Sequence, residues 1–147
     1  MNLVERFAEA FNRRDVDGLL ACFTEDATYR DLFYGPHTGH AALRGMFERM
    51  FREGRDYRWQ MNAIVVEAQR AAAEWTFSYT ATAAVPRSEG RRVLFSGMSV
   101  FDLDSGDLEG GRIRAYREYA DTGVALLQLG FSPEGLAKVL SRRLPTA

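Results

Sequence analysis

The chain has 147 residues, with 19 basic residues against 20 acidic ones and a formal net charge of -1. The two signs are interspersed along the sequence, which excludes the basic face of a nucleic-acid-binding or membrane-surface protein. A single cysteine excludes an internal disulfide and a multi-cysteine metal cluster.

The length is near the usual size of one domain, so we expect a single unit spanning residues 1–147. The apolar runs of the sequence fall short of the ~20 residues that a membrane span needs, and the N-terminus carries no basic-then-apolar leader. We therefore expect a soluble, cytoplasmic protein with no membrane or nucleic-acid partner.

Two helices are predicted at the start of the chain. Apolar residues recur at three- and four-residue spacing over residues 2–12, where Asn2 can cap the helix. The same spacing predicts a shorter helix over residues 16–23, with Asp15 as its cap.

A short strand and a third helix are predicted next. Residues 24–26 are expected to turn the chain, and residues 27–34 have the composition of a strand. Gly35 should end that strand and begin a loop, because glycine and proline interrupt regular elements. Helical spacing then returns over residues 40–54.

From residue 57 the apolar period changes to two, which is typical of strands. Four long segments separated by turn residues predict an antiparallel meander. Their ranges are 57–68, 70–85, 91–104 and 111–120. Helices followed by strands indicate an α+β fold, with the helices packed on one face of a curved antiparallel sheet. Residues 131–147 are expected to form a C-terminal helical extension, which Ser132 can cap and in which Pro133 takes the first helical position.

The last predicted strand carries charge and tyrosine on both faces. Alternation places Arg114, Tyr116 and Glu118 on one side of it. Such a face suits the wall of a cavity that contains some polar groups better than it suits a solid apolar core.

Aromatic side chains mark the neighbouring strands. Trp75, Phe77 and Tyr79 share one face of the second long strand, and Trp59 lies on the strand before it. The sequence leaves open whether these rings fill a solid core or line an apolar pocket.

Two carboxylates are candidates for proton transfer. Asp31 lies among apolar and aromatic residues, where desolvation would raise its pKa toward that of a general base. The alternative is an exposed acid or a turn cap. Glu118 is a second acid or base held by Arg114 or Tyr116, or else a member of an ordinary cross-strand ion pair.

The remaining motifs exclude several chemistries. His37 and His40 lie too close together for a supported zinc site, so we expect no metal, and His37 is a candidate proton shuttle at the pocket mouth. The sequence has no glycine-rich phosphate loop, nucleophile elbow or His-Glu-x-x-His motif. Two functions are left by these exclusions: acid/base catalysis on a bound hydrophobic molecule, or binding of such a molecule without turnover.

The segments FAEAFNRRDVDGLLACFTEDATYRD, PHTGHAALRGMF and RIRAYREYADTGVALLQLG resemble the nuclear-transport-factor-2-like superfamily. The branch they resemble most is that of the SnoaL-like polyketide cyclases, and the resemblance extends to about residue 130. It implies a curved antiparallel sheet that surrounds a conical pocket together with about three helices. The superfamily includes isomerases, cyclases, epoxide hydrolases, dehydratases and non-catalytic binders.

The resemblance also implies roles for single residues. Glu118 falls where SnoaL-like cyclases place an acid/base aspartate, and His37 lies in a loop like theirs. Asp31 falls where ketosteroid isomerase has its proton-abstracting aspartate. Phe7 and Ser99 stand where that enzyme has its oxyanion donors.

Limonene epoxide hydrolase needs an arginine and an aspartate on the second long strand. Trp75 and Phe77 stand at those positions, which counts against epoxide hydrolysis.

The expected function is cofactor-free acid/base chemistry, of the cyclase or isomerase type, on a small hydrophobic carbonyl compound. The expected catalytic residues are Asp31, Glu118, Tyr116 and His37, with Tyr116 as the donor to a developing oxyanion. The expected substrate contacts are Tyr29, Trp59, Trp75, Phe77, Tyr79 and Arg114. The alternative is a non-catalytic binding or dimeric scaffold protein, and a homodimer is expected in either case.

Overall fold

The computed structural model describes residues 1–146 and confirms the α+β class. Three helices and a short hairpin precede four long strands and two further helices. In chain order the elements are α1 (Leu3–Asn12), α2 (Val16–Ala21), β1 (Phe23–Asp31), β2 (Gly35–Thr38), α3 (His40–Glu53), β3 (Gly54–Glu67), β4 (Arg70–Ala81), β5 (Arg92–Leu103), β6 (Ile113–Ala120), α4 (Thr122–Gln128) and α5 (Pro133–Ser141).

The strands form one six-stranded sheet in the order β2-β1-β6-β5-β4-β3. The predicted antiparallel meander of four strands is confirmed as β3 to β6. β1 pairs with β6 in parallel, and β2 pairs back onto β1 as an antiparallel edge strand. The sheet is therefore mostly antiparallel, and it curls around the apolar faces of the helices.

Local capping explains where the first helix begins. Asn2 Oδ1 accepts a hydrogen bond of 3.0 Å from the Glu5 N–H, and Glu5 Oε2 accepts one of 2.9 Å from the Asn2 N–H. This reciprocal pair satisfies two backbone donors that the helix leaves free. Asp15 and Ser132 cap α2 and α5 as the sequence predicted.

Two sequence predictions about the β1 region were wrong. Residues 24–26 do not turn the chain but belong to β1, which bulges there because Phe23 pairs with Ile113 and Thr28 with Ala115. The expected loop after Gly35 is β2. A proline is tolerated in β2 because an edge strand has one side without a partner strand.

The core lies between the concave face of the sheet and the helices. Phe7 of α1 is fully buried and contacts the rings of Phe23, Trp59, Phe101 and Tyr116. No helix within the described residues is long and apolar enough to cross a membrane.

The C-terminal segment covers the part of β5 that has no neighbouring strand on its β6 side. β6 ends at Ala120, opposite Gly97, so the first part of β5 has no strand on that side. The Gln128 side chain occupies the position instead, because its Oε1 accepts from Leu94 N at 2.9 Å and its Nε2 donates to Leu94 O at 2.8 Å. α5 then packs partly buried apolar residues against the core, including Leu136 and Leu140.

Candidate active site

A cavity of about 320 Å³ lies between the concave face of the sheet, the helices and the β4–β5 loop. Its volume is at the lower end of the range of about 300–1,000 Å³ that is usual for small-molecule sites. Most of the wall is aromatic. The rings on it are those of Phe11, Tyr29, Phe33, Tyr34, Tyr57, Trp59, Trp75, Phe77, Tyr79 and Phe95.

The aromatic wall is held by edge-to-face contacts. The Trp59 ring lies 5.2 Å from that of Phe77 and 5.8 Å from that of Trp75, with interplanar angles of 82° and 86°. Rings packed at such angles constrain one another, since each edge meets a neighbouring face. Trp59, Trp75, Phe77 and Tyr79 all line the cavity, together with Tyr29.

Asp31 lies on the cavity wall at the end of β1 and is 8% exposed. Its Oδ2 accepts hydrogen bonds from the backbone N–H groups of Phe33 at 2.8 Å and Tyr34 at 2.9 Å. Burial raises the pKa of Asp31, although these two donors and the charges of His37 and Arg143 act in the opposite direction. Asp31 is thus both a turn cap and a buried carboxyl group.

Glu118 lies on the same wall. Its Oε1 accepts hydrogen bonds from the hydroxyls of Tyr116 at 2.7 Å and Tyr29 at 3.3 Å, and its Oε2 accepts from Leu32 N at 3.2 Å. Burial, followed by the negative charge of Asp31, raises the pKa of Glu118 well above its ordinary value. One proton is therefore favoured on the pair, because two charges in one dry site repel each other.

The environments of the two carboxyl groups differ. Burial raises the pKa of both groups, and hydrogen bonds act in the opposite direction at each: two backbone N–H groups donate to Asp31, and two tyrosine hydroxyls and one backbone N–H donate to Glu118. The positive charges of His37 and Arg143 also lower the pKa of Asp31, whereas the negative charge of Asp31 raises that of Glu118.

A buried hydrogen-bond chain supports Glu118 from behind. Trp75 Nε1 donates to Ser99 Oγ at 2.7 Å, Ser99 Oγ lies 2.7 Å from the Tyr116 hydroxyl, and that hydroxyl donates to Glu118. An indole N–H can only donate. Since the Tyr116 proton goes to Glu118, the Ser99 proton goes to Tyr116, and the chain crosses β4, β5 and β6 in one direction.

Tyr116 lies away from the place that a donor to a substrate oxyanion would occupy. Tyr116 is 2% exposed, is not part of the cavity wall, and donates its hydroxyl proton to Glu118. Its ring stacks on that of Tyr29, with centroids 4.2 Å apart. Tyr116 therefore contacts Glu118 and not the space in which a ligand would lie.

Arg114 was also wrongly placed by the sequence. Asp102 pairs with Ala115 and Leu103 with Ile113, so Arg114 is an extra residue in the ladder between β5 and β6. The bulge changes the alternation, and Arg114 is exposed and outside the cavity wall. It does not contact Glu118.

His37 lies beside the site and is not part of the cavity wall. It pairs with Tyr29 across the β1–β2 ladder, is half-buried, and has its Nδ1 3.2 Å from the Gly35 carbonyl oxygen. Its positive form lowers the pKa of Asp31. The position suits an electrostatic influence on Asp31 better than a direct relay at the mouth.

Sequence reasoning missed a second polar group on the wall. The Tyr34 hydroxyl hydrogen-bonds Glu53, and Arg49 Nε donates to Glu53 Oε1 at 2.9 Å. Arg49 and Glu53 have the four-residue spacing of an ordinary surface ion pair, so only the β1–β2 turn that brings Tyr34 to them reveals the cluster. Burial and the charges of Glu53 and Asp31 raise the pKa of nearby Tyr79 to about 12.

Across residues 1–146, no three histidine, cysteine, aspartate or glutamate side chains are grouped closely enough to hold a metal ion. Two of the carboxyl groups on the cavity wall, those of Glu118 and Glu53, accept hydrogen bonds from the phenol groups of Tyr29 and Tyr34.

Comparisons with known proteins agree with this architecture. A family model described as the SnoaL-like domain matches residues 4–116. No curated protein matches the sequence.

Several solved structures are similar to the chain. A candidate polyketide cyclase from Xanthomonas campestris pv. campestris has 28% identity and a TM-score of 0.68, over 87% of this chain and 94% of that one. A candidate polyketide cyclase from Pseudomonas putida KT2440 has 26% identity and a TM-score of 0.68, over 86% and 94%. An LEH-like epoxide hydrolase from M. tuberculosis has 21% identity and a TM-score of 0.68, over 95% and 93%, which indicates a common fold.

Ser99→Ala tests how much the buried hydrogen-bond chain contributes to stability. The substitution leaves the Trp75 N–H without its acceptor and removes the donor to Tyr116, so we expect a loss of about 1–3 kcal/mol in the free energy of unfolding. Urea denaturation measures it. Ser96→Ala, on the outward face of the same strand, is the matched control and should change stability by less than about 0.5 kcal/mol. Equal losses of stability from the two substitutions would contradict a stabilising contribution of the buried hydrogen-bond chain.

Glu118→Gln tests the raised pKa of Glu118. Because the folded protein binds this proton more tightly than the unfolded chain does, stability should fall as pH rises above 4.5, the ordinary pKa of the group. The variant lacks this loss, so its free energy of unfolding should increase relative to wild type with rising pH. Denaturation at several pH values measures the difference, with Glu48→Gln on the exposed side of α3 as control. If the difference in free energy of unfolding between Glu118→Gln and the wild type stays constant with pH, the pKa of Glu118 is not raised.

Proposed function

The chain belongs to the SnoaL-like domain family, and on that basis we propose that it catalyses cofactor-free proton transfer on a small hydrophobic carbonyl compound. One observation carries the proposal. The buried carboxyl group of Asp31 and the partly buried one of Glu118 lie on the wall of one largely aromatic cavity, and desolvation raises the pKa of each. An acid and a base with separated pKa values are what an isomerase or cyclase of this kind needs.

Asp31 is the base in this proposal. Its Oδ2 accepts both turn N–H groups, which leaves Oδ1 to take the proton from a carbon next to the substrate carbonyl. Desolvation brings the basicity of the carboxylate closer to that of the carbon acid. The electron pair left on carbon is delocalised onto the carbonyl oxygen as an enolate.

Glu118 is the acid. In its protonated form it donates a hydrogen bond to the developing oxygen anion and keeps its proton. In an isomerisation, Asp31 returns its proton to a different carbon of a conjugated enolate. In a cyclisation, the enolate carbon attacks the carbon of a second carbonyl, and the alkoxide that forms takes the proton from Asp31. The aromatic wall binds the apolar body of the substrate and limits the entry of water.

The similar structures support a carbonyl substrate. Those with at least 25% identity include candidate polyketide cyclases, which by that name act on carbonyl-rich chains. Epoxide hydrolysis has less support. Trp75 and Phe77 occupy the strand positions at which the resemblance to limonene epoxide hydrolase would require an arginine and an aspartate.

Binding without turnover is the second candidate function. The observation that favours it is the turn at Asp31, since a carboxylate that caps two backbone N–H groups has a structural reason to be present. In that case the cavity would hold an apolar ligand against its aromatic wall, and loss of the Asp31 charge would alter stability more than chemistry.

We further propose a homodimer formed through the convex face of the sheet. Leu94 and Met98 of β5 and Tyr119 of β6 point outward and are about half exposed, and Met98 pairs directly with Tyr119. An exposed apolar group of this kind is typical of a protein interface. A second copy of the chain would cover it.

Sedimentation over a concentration series measures the oligomeric state. We expect the wild type to sediment as a dimer at micromolar concentrations and Met98→Lys to sediment as a monomer, because a charge would be buried without a partner. A wild-type monomer at every concentration would contradict the proposal.

The catalytic proposal is tested by hydrogen exchange in D₂O, using 2-tetralone as a hydrophobic ketone. We expect the wild type to accelerate the loss of the protons next to the carbonyl, followed by ¹H NMR. Asp31→Asn should lower the enzyme-dependent rate at least about 100-fold, since it removes the general base. Glu118→Gln should lower it as well, because the ionisable proton is lost.

Asp26→Asn is the matched control, since this carboxylate is exposed on the same strand and accepts a hydrogen bond from the Thr24 hydroxyl. Its exchange rate should equal that of the wild type. Wild-type activity in both Asp31→Asn and Glu118→Gln would refute the assignment. Binding of the ketone with no acceleration by the wild type would favour the second function.

A further inference from the structure

Four tyrosines line the cavity, and three of their hydroxyls are bonded to other groups of the protein. The three pairs are Tyr29 with Glu118, Tyr34 with Glu53, and Tyr57 with the Met50 carbonyl oxygen. The hydroxyl of the fourth, Tyr79, makes no hydrogen bond within residues 1–146. Tyr79 therefore carries a hydrogen-bonding group that the fold itself does not use.

The Tyr79 hydroxyl is open to solvent. Among the buried side-chain nitrogen and oxygen atoms of residues 1–146, only Nε1 of Trp59 lacks a hydrogen bond. The Tyr79 hydroxyl also lacks one, and since Tyr79 is a half-buried residue, its hydroxyl oxygen must be accessible. Alternation along β4 places Tyr79 on the same face as Trp75 and Phe77, and all three side chains lie on the cavity wall. A molecule in the cavity can therefore reach this hydroxyl.

The ring of Tyr79 is held in a fixed place. It stacks on the Tyr57 ring, with centroids 5.3 Å apart and an interplanar angle of 23°. Gly54 permits this packing, because a Cβ at that position would lie 2.2 Å from the Tyr57 hydroxyl and 2.9 Å from Cδ2 of Tyr79. Tyr57 is itself tied to the Met50 carbonyl oxygen at 2.6 Å. The free hydroxyl is thus presented by a ring with little room to move.

The surroundings keep the hydroxyl protonated. Burial and the negative charges of Glu53 and Asp31, both on the cavity wall, raise the pKa of Tyr79 to about 12. A neutral phenol can both donate and accept a hydrogen bond. Tyr79 is therefore a donor over the whole neutral range of pH.

Tyr79 lies at a distance from the support of Glu118. Trp75, whose indole begins the hydrogen-bond chain to Glu118, precedes Tyr79 by four residues on β4, which is about 13 Å along a strand. Phe77 lies between them on the same face and provides only an aromatic ring. A ligand oxygen at Glu118 and a ligand oxygen at Tyr79 are therefore different atoms, separated by an apolar part of the ligand.

We propose that the Tyr79 hydroxyl binds a second oxygen of the substrate, on the apolar body away from the reacting carbonyl. This inference rests on the proposed function and narrows its substrate class to hydrophobic carbonyl compounds that carry a further hydroxyl or carbonyl group. Tyr79 orients the substrate, while the proton transfers remain with Asp31 and Glu118. A compound with a methyl group in place of the second oxygen loses this hydrogen bond, and the difference produces the preference.

The test compares two ketones of the same shape, 6-hydroxy-2-tetralone and 6-methyl-2-tetralone. In each, the carbonyl is on one ring and the variable group is on the far side of the other. We expect the wild type to bind the hydroxy ketone more tightly, as measured by isothermal titration calorimetry. Tyr79→Phe should lower this preference about 5- to 10-fold, which is the effect of losing one hydrogen bond.

Tyr57→Phe is the matched control. It removes the hydroxyl of the ring that stacks on Tyr79, but this hydroxyl donates to the Met50 carbonyl oxygen. The preference between the two ketones should therefore remain, while the midpoint of urea denaturation should fall. Tyr79→Phe should keep the wild-type midpoint, because its hydroxyl has no partner in the described part of the chain.

Three results would overturn the inference. They are a wild type with no preference for the hydroxy ketone, a Tyr79→Phe variant that keeps the wild-type preference, and a Tyr79→Phe variant that is destabilised or does not fold. The last result would mean that the hydroxyl supports the fold. Hydrogen exchange of 2-tetralone, which has no second oxygen, tests catalysis separately. A wild type that accelerates this exchange but does not distinguish the two ketones would retain the proposed function and lose only the role of Tyr79.

Discussion

The placement of two carboxyl groups on the wall of one cavity is the constraint on which the rest of the site depends. A carboxylate in water needs no special surroundings, but Asp31 and Glu118 lie where water is largely replaced by aromatic rings. Each must therefore receive hydrogen bonds from the protein, and each influences the charge of the other. The turn after β1 supplies the donors for Asp31, and two tyrosines and one backbone N–H supply those for Glu118.

The donors of Glu118 are fixed by the sheet itself. Trp75, Ser99 and Tyr116 come from three neighbouring strands, so the hydrogen bonds between them also hold those strands in register. A polar network of this kind is stable in the core only when each of its members has a partner. The same side chains therefore serve the packing of the sheet and the orientation of the carboxyl group.

Much of the fold could be predicted because its signals are local. The caps at Asn2 and Ser132 and the change of apolar period at residue 57 identify the helices and long strands without reference to distant residues. The errors arose where a distant partner decides the outcome. A bulge opposite β5 turned Arg114 outward, and the hairpin of β1 and β2 brought Tyr34 to Glu53. Alternation correctly placed Tyr116 beside Glu118. However, Tyr116 is buried behind Glu118 and therefore does not line the cavity.

Gln128 has a consequence for how the C-terminus of this fold can vary. Its amide replaces a missing strand beside Leu94, and Leu129, directly after it, lies on the cavity wall. The segment after β6 thus protects a sheet edge from pairing with another chain and also sets one boundary of the cavity. Lengthening or shortening this segment would change solubility and the accommodated ligand size together, so the two properties cannot diverge independently at this end of the molecule.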